Sequence, residues 1–143
     1  MTPEELKKLG GLYVERVTDG FAQYDSRITH MGEREAAAYM RRLRDENGAD
    51  GAFVDFYYHF LDDDAKQRVL SVLDGEQQAY VRGMDSDSRD LIYPLSDELI
   101  DIAARLNDRE MLFCTVYFTR TPCTLWGNYK QEYVIFTPRS REK

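Results

Sequence analysis

Apolar residues recur every three or four positions through the opening stretch of the chain: Leu6, Leu9, Tyr13, Val17, Phe21, Tyr24 and Ile28. That period gathers them on one side of a helix. Thr2-Pro3-Glu4-Glu5 supplies its start, with Thr2 as N-cap, Pro3 at the first helical position and Glu5 closing a capping box. The pattern predicts one long helix, bent where Gly10-Gly11 weakens it by about 1 kcal/mol per glycine. A second helix is predicted over 33–46, buried through Ala36, Tyr39, Met40 and Leu43 and stopped by Asn47-Gly48. Residues 53–61, FVDFYYHFL, carry so little polar surface that they read as a helix in the centre of the core. Asp62-Asp63-Asp64 opens the next helix, with Val69, Leu70, Val72 and Leu73 inward and Asp74-Gly75 at its end. A helical turn over 76–81 and a polar loop over 83–90 follow. Ser96 caps a last helix that runs to about Leu106 through Leu99, Ile100 and Ala103.

The period then changes from four to two. Between Met111 and Thr119, Leu112, Cys114, Val116 and Phe118 make a wholly apolar face, and Phe113, Thr115, Tyr117 and Thr119 a mixed one. This alternation marks a strand. A second strand is predicted over 129–137, joined to the first by a loop over 120–128 in which Gly127-Asn128 suits positive φ. LIYPL, residues 91–95, reads as a third, short edge strand ending at Pro94. The fold predicted is α+β: an N-terminal bundle of about five helices, then a C-terminal antiparallel hairpin, widened by that third strand. One domain spans 1–138, and 139–143 is a charged tail expected to fray. An isolated hairpin is marginal in water, so its apolar face is expected on the helices. The mixed face and the free strand edge then need cover, for which a homodimer is one solution.

Composition narrows the function classes. The net charge of −7 is unevenly spread: residues 45–110 hold six Lys and Arg against seventeen Asp and Glu. Such a centre repels nucleic acid and attracts basic partners. No run is long and apolar enough for a membrane span. The N-terminus is acidic where a secretion signal is basic and then apolar, so a cytoplasmic protein with free Cys114 and Cys123 is expected.

Catalytic motifs are missing. There is no phosphate-loop glycine pattern, nucleophile-elbow serine, HExxH or zinc-type cysteine spacing. His59 with Asp62 and Asp63 lacks a second histidine, and Asp85, Asp87 and Asp90 fail the calcium-loop template because Asp90 stands where glycine is needed. No metal and no cofactor are expected. Cys123 lacks an evident activating histidine, and Arg41, Arg42 and Arg44 are accounted for as cations at a helix C-terminus.

Two candidate surfaces remain. FTRTPCTLWGNYKQEY, residues 118–133, gathers the lone Trp126 with Tyr129, Tyr133, Arg120 and Lys130, and Tyr117 precedes it. Asp62, Asp63, Asp64, Asp85, Asp87 and Asp90 form a candidate acidic partner surface. Together they favour a non-enzymatic protein that docks on a basic protein surface, as an acidic inhibitor of a nucleic-acid-binding protein would (a phage-encoded anti-defence factor, for example). The alternatives are a module whose hairpin-loop aromatics stack on a nucleotide or small aromatic ligand, and a small hydrolase using a cysteine or scattered carboxylates.

The segments LIYPLSDELIDIAARL, MLFCTVYFT and CTLWGNY, within residues 91–136, resemble a family of uncharacterised small bacterial proteins from gut anaerobes. The resemblance implies a bacterial or phage origin and assigns no activity and no catalytic residue.

Overall fold

In a computed structural model, which describes residues 1–84 and 91–140, the chain builds a six-stranded antiparallel sheet with helices interleaved along the sequence. The helices are α1 (Pro3–Lys8), α2 (Val17–Gln23), α3 (Glu33–Asn47), α4 (Asp63–Ser71), α5 (Gly75–Gly83) and α6 (Asp97–Asp108). The strands are β1 (Asp25–His30), β2 (Ala52–Asp55), β3 (Ile92–Pro94), β4 (Thr115–Phe118), β5 (Cys123–Gly127) and β6 (Glu132–Thr137). They lie in the order β1-β6-β5-β4-β2-β3. The expected bundle followed by a hairpin is therefore corrected to a mixed arrangement in which the sheet is the organising layer.

The largest core lies between one face of the sheet and α3, α4, α5 and α6. The sheet contributes Ala52, Val54, Val116, Phe118, Cys123, Leu125, Tyr133 and Ile135, and the helices contribute Met40, Val69, Val81, Ile100 and Leu106, among others. Each strand's alternate residues point to the other face, as the period of two requires. There Phe53, Tyr117, Val134 and Phe136 pack under residues of the N-terminal segment, chiefly Leu6, Tyr13 and Val14. The mixed face expected to need a partner is thus covered by the chain's own first residues.

Four sequence expectations fail, each for a physical reason. The long first helix is α1, a crossing segment, α2 and then β1. Gly10 adopts φ +103° and lies so close to Thr119 that a Cβ there would come within 2.9 Å of the Thr119 carbonyl oxygen. The glycine pair is a crossing point and ends α1; the apolar residues beyond it share a period, not a helix. Residues 53–61 form β2 and a 3₁₀ turn (Tyr58–Phe60). A strand buried on both faces reads as a continuous apolar run, which periodicity cannot separate from a buried helix. The predicted loop over 120–128 contains β5, registered between β4 and β6 with Val116 opposite Leu125 and Leu125 opposite Ile135. Positive φ falls at Lys130 and Gln131, not at Gly127-Asn128. Gly127 is required for another reason: a Cβ there would lie 2.8 Å from Asn107 Nδ2.

Local signals held. Thr2, Asp62 and Ser96 cap α1, α4 and α6 through their side chains, and α3 ends at Gly48 with φ +84°. Asp74-Gly75, expected to end α4, instead opens α5, with Asp74 as its N-cap. β3 is an edge strand that includes Pro94. The predicted loop over 83–90 falls largely outside the described residues, as does the end of the charged tail; Arg139 and Ser140 are tied to Ala22 and Asp25.

Candidate functional site

β2 ends at Asp55, the centre of the candidate site. Val54 pairs with Val116, so Asp55 stands beside Thr115 at the start of β4. Its carboxylate takes the place of a ladder acceptor: Oδ1 accepts the Thr115 backbone N–H at 2.8 Å. Oδ2 accepts the Tyr117 hydroxyl at 3.1 Å, and the Tyr57 hydroxyl also hydrogen-bonds the group. Asp55 is only 4% exposed. Burial pushes its carboxyl up to about 7, with these hydrogen bonds pulling the other way. An ionised carboxylate out of water is costly, and the donors only partly offset that cost. The neighbouring phenols respond to the same environment. Burial raises Tyr117 and Tyr57 above the ordinary phenol range, and the Asp55 charge adds to it.

Two cavities meet at this residue. The smaller, about 230 Å³, is walled by Tyr13, Leu91 and Ile92 together with Asp55 and Tyr57. The larger, about 350 Å³, is walled by Val14, Glu15, Phe113, Thr115, Trp126 and Tyr129. Asp55 and Tyr57 line both. The N-terminal segment roofs them. Tyr13 stacks on Tyr117 with ring centroids 6.0 Å apart, the Leu12 carbonyl accepts the Thr124 hydroxyl at 2.7 Å, and the Met1 nitrogen donates to the Ile92 carbonyl at 2.9 Å.

The residues singled out from sequence separate. Trp126 and Tyr129 line the larger cavity together, with Tyr129 edge-on to Phe113 at 4.9 Å. Tyr117 supplies a donor to Asp55. Tyr133 points to the opposite face, buried, where its hydroxyl accepts from Asn107 Nδ2 at 3.2 Å; burial raises it to about 12. Arg120 turns away to Asp50 and to the Asn47 carbonyl. The Lys130 side chain lines neither cavity, and its backbone N–H donates to Glu110. The tryptophan-bearing hairpin tip therefore does not exist: Trp126 sits within an interior strand.

The acidic segment is also divided. Asp62, Asp63 and Asp64 lie exposed at the start of α4, with Asp62 as its cap, whereas Asp85, Asp87 and Asp90 lie outside the described residues. Others are paired. Arg41 grips Asp101 with two 3.0 Å hydrogen bonds, Arg44 reaches Asp97 at 2.6 Å, and Arg105 meets Glu33 at 2.9 Å. Arg41 and Arg44, beyond complementing the dipole of α3, fasten it to α6.

Cys114 and Cys123 are both free and buried. Burial raises Cys114 well above the usual thiol range and Cys123 to about 11, the reverse of what a nucleophile needs. Among the described residues, no helix is long and apolar enough to cross a membrane, and no three His, Cys, Asp or Glu side chains are grouped to hold a metal.

Sequence reasoning passed over Asp55, Tyr57, Glu15 and Phe113. The available signal was Asp55 itself, a single acid inside an otherwise apolar and aromatic run; a buried strand there would have made it an internal carboxylate. No protein-family model, curated protein or solved structure matches this chain.

Proposed function

We propose that this protein is a small-ligand-binding module whose site is the aromatic cleft around Asp55. The observation that carries the reading is the conjunction of a buried carboxyl with two cavities that share it, one of them walled by Trp126, Phe113 and Tyr129. A concave, mostly apolar site with few convergent polar groups and a perturbed carboxyl has the usual character of a ligand pocket. Arg120 and Lys130, the cations first expected to meet a nucleotide's phosphates, are not part of it. The ligand is accordingly a compact molecule with an apolar or aromatic body.

Trp126 is the only tryptophan and reports directly. Titration with neutral aromatics, amines and nucleotides should change its emission saturably for at least one non-nucleotide class. Backbone amide shifts should cluster at Asp55, Tyr57, Thr115 and Gly127. Silence across the panel, or shifts concentrated elsewhere, would retire the proposal.

A second reading follows from the placement of the Asp55 carboxyl, hydrogen-bonded to the Tyr117 hydroxyl and lining both cavities. A carboxyl that exchanges its proton near neutral pH, beside two tyrosine hydroxyls, is suited to general acid–base work. It would give the same site a catalytic use. Turnover of a bound ligand that disappears in Asp55→Asn while binding persists would separate it from simple binding.

A further inference from the structure

We infer that the larger cavity is an aromatic cage for an organic cation, an ammonium group bearing methyl or alkyl substituents. The inference rests on the small-ligand reading above and names the class of ligand it takes. Tyr57, Phe113, Trp126 and Tyr129 supply the aromatic walls, and the two charged residues among the lining are Glu15 and Asp55, both acidic. No described lysine or arginine lines this cavity. The negative faces of aromatic rings attract a cation, most strongly where water is displaced. Neighbouring carboxylates add charge complementarity that a neutral or anionic ligand cannot use.

Elsewhere the chain places its own cations on its aromatic rings. Lys7 lies over Tyr13, Arg42 over Tyr39 and Lys66 over Tyr58, at 5.7, 4.9 and 5.7 Å from the ring centroids. None of these three cations, and none of these rings, belongs to the larger cavity. Among the described residues, its four rings share the lining with two acids, and no internal cation of this kind lies over them. The volume, about 350 Å³, lies near the lower end of ligand pockets, roughly 300–1,000 Å³, and suits a small alkylammonium better than a large dye or nucleotide.

A cation beside Asp55 favours its ionised form, so binding should release a proton below neutrality. The groups facing Asp55 are the hydroxyls of Tyr57, Tyr117 and Thr115, with Tyr13 and Cys114 interacting through charge and Glu15 across the larger cavity. None of these is a cation. Affinity for a permanently charged ligand should then rise as pH increases through about 7 and level off above it.

The test uses the full chain with three probes: tetramethylammonium, choline, and 3,3-dimethylbutan-1-ol, the neutral carbon isostere of choline. Trp126 emission and isothermal calorimetry serve as independent readouts. Choline should bind at least tenfold more tightly than the isostere. Glu15→Gln, a change at an exposed position, should weaken choline severalfold and leave the isostere unchanged, and Asp55→Asn should remove the pH dependence between 6 and 8. If the isostere binds as well as choline, or if only uncharged aromatics bind, the cation assignment falls and the ligand site stands. If no compound in either panel binds, both fall together.

Discussion

The hydroxyl of Tyr117 donates to Asp55 Oδ2 at 3.1 Å, although the residue directly opposite Tyr117 on β2 is Phe53. The contact is diagonal, between same-face neighbours two residues apart in register, the second tier of cross-strand interaction in a sheet. Thr115, directly beside Asp55, meanwhile spends its N–H on the other carboxylate oxygen. One acid thus closes the end of the β2–β4 ladder and forms the floor of two cavities. The structural role and the proposed ligand-binding role rest on the same atoms.

This makes the stability of the protein sensitive to pH in an unusual direction. The folded value of Asp55 is about 7, against about 3.9 for an unfolded aspartate. Between the two, the native chain binds more protons than the unfolded one. Stability contributed by this group is therefore full below pH 4, falls as pH rises, and is lost above 7. The swing is on the order of 4 kcal/mol at most. Asp25 and Asp97 shift downward, through the Ser140 backbone hydrogen bond and through Arg44 respectively, and act oppositely at lower pH. Urea unfolding of wild type and Asp55→Asn at pH 5 and 8 isolates the Asp55 term. The variant should show a much smaller loss between the two.

Removing the donor tests the hydrogen bond itself. Tyr117→Phe leaves the ring stacked on Tyr13 and deprives a buried carboxylate of one partner. The expected cost is about 1–3 kcal/mol above neutrality, less at pH 5 where the carboxyl is protonated. Loss of that donor should also raise the Asp55 value further, readable by carbon-detected NMR titration. An unchanged titration would show that the bond contributes nothing to the ionised form.

Asn107 and Gly127 form a second fitted pair. Asn107 Oδ1 accepts the Cys114 N–H at 2.7 Å, and its Nδ2 donates to the Cys114 carbonyl and Tyr133 hydroxyl, each at 3.2 Å. The amide is held on three sides, so a methyl group at Gly127 cannot displace it freely. Gly127→Ala should destabilise by about 1–3 kcal/mol through overpacking. A denaturation midpoint within error of wild type would mean that Asn107 yields easily.

Gly10→Ala probes the roof over the sheet. Its φ of +103° and the 2.9 Å approach to a backbone oxygen disfavour any side chain, and the oxygen belongs to a sheet end that cannot swing aside. About 2 kcal/mol or more should be lost. Because the residues beyond Gly10 carry Tyr13, Val14 and Glu15, limited proteolysis should cut within 9–16 sooner than in wild type. Equal protection would show that the crossing segment adapts.

The thiols should both be quiet. Cys114 is fully buried and Cys123 is 7% exposed, with burial raising each. Under native conditions iodoacetamide should label both slowly, and unfolding in urea should release two rapid equivalents. Fast native labelling of Cys123 would reverse the conclusion that it is a packing residue.

Much that is local was legible. The caps of α1, α4 and α6, the Asn47-Gly48 stop and the edge strand around Pro94 each depend on chemistry within a few residues. Their outcome is insensitive to what packs above them. The alternation before Phe118 identified the apolar face of β4 correctly for the same reason. The apolar period that continued from Leu6 to Ile28 misled, because spacing alone is silent about the positive φ at Gly10, just past the end of α1.

What only the tertiary structure decided is partnership. FVDFYYHFL is compatible with a buried helix or a strand covered on both faces. The choice went to the strand because β3 and β4 satisfy its backbone on either side. CTLWG resembles a loop until β4 and β6 supply its ladder. The candidate site is the furthest removed from the linear pattern, since Glu15, Asp55, Phe113 and Trp126 lie on four separate segments. By itself the sequence determined which stretches are apolar, where α1, α3, α4 and α6 begin, and that its acids concentrate in the middle of the chain. Burial of one of those acids among aromatic walls came from hydrogen bonds and packing between strands distant in the chain, and no local propensity encodes them.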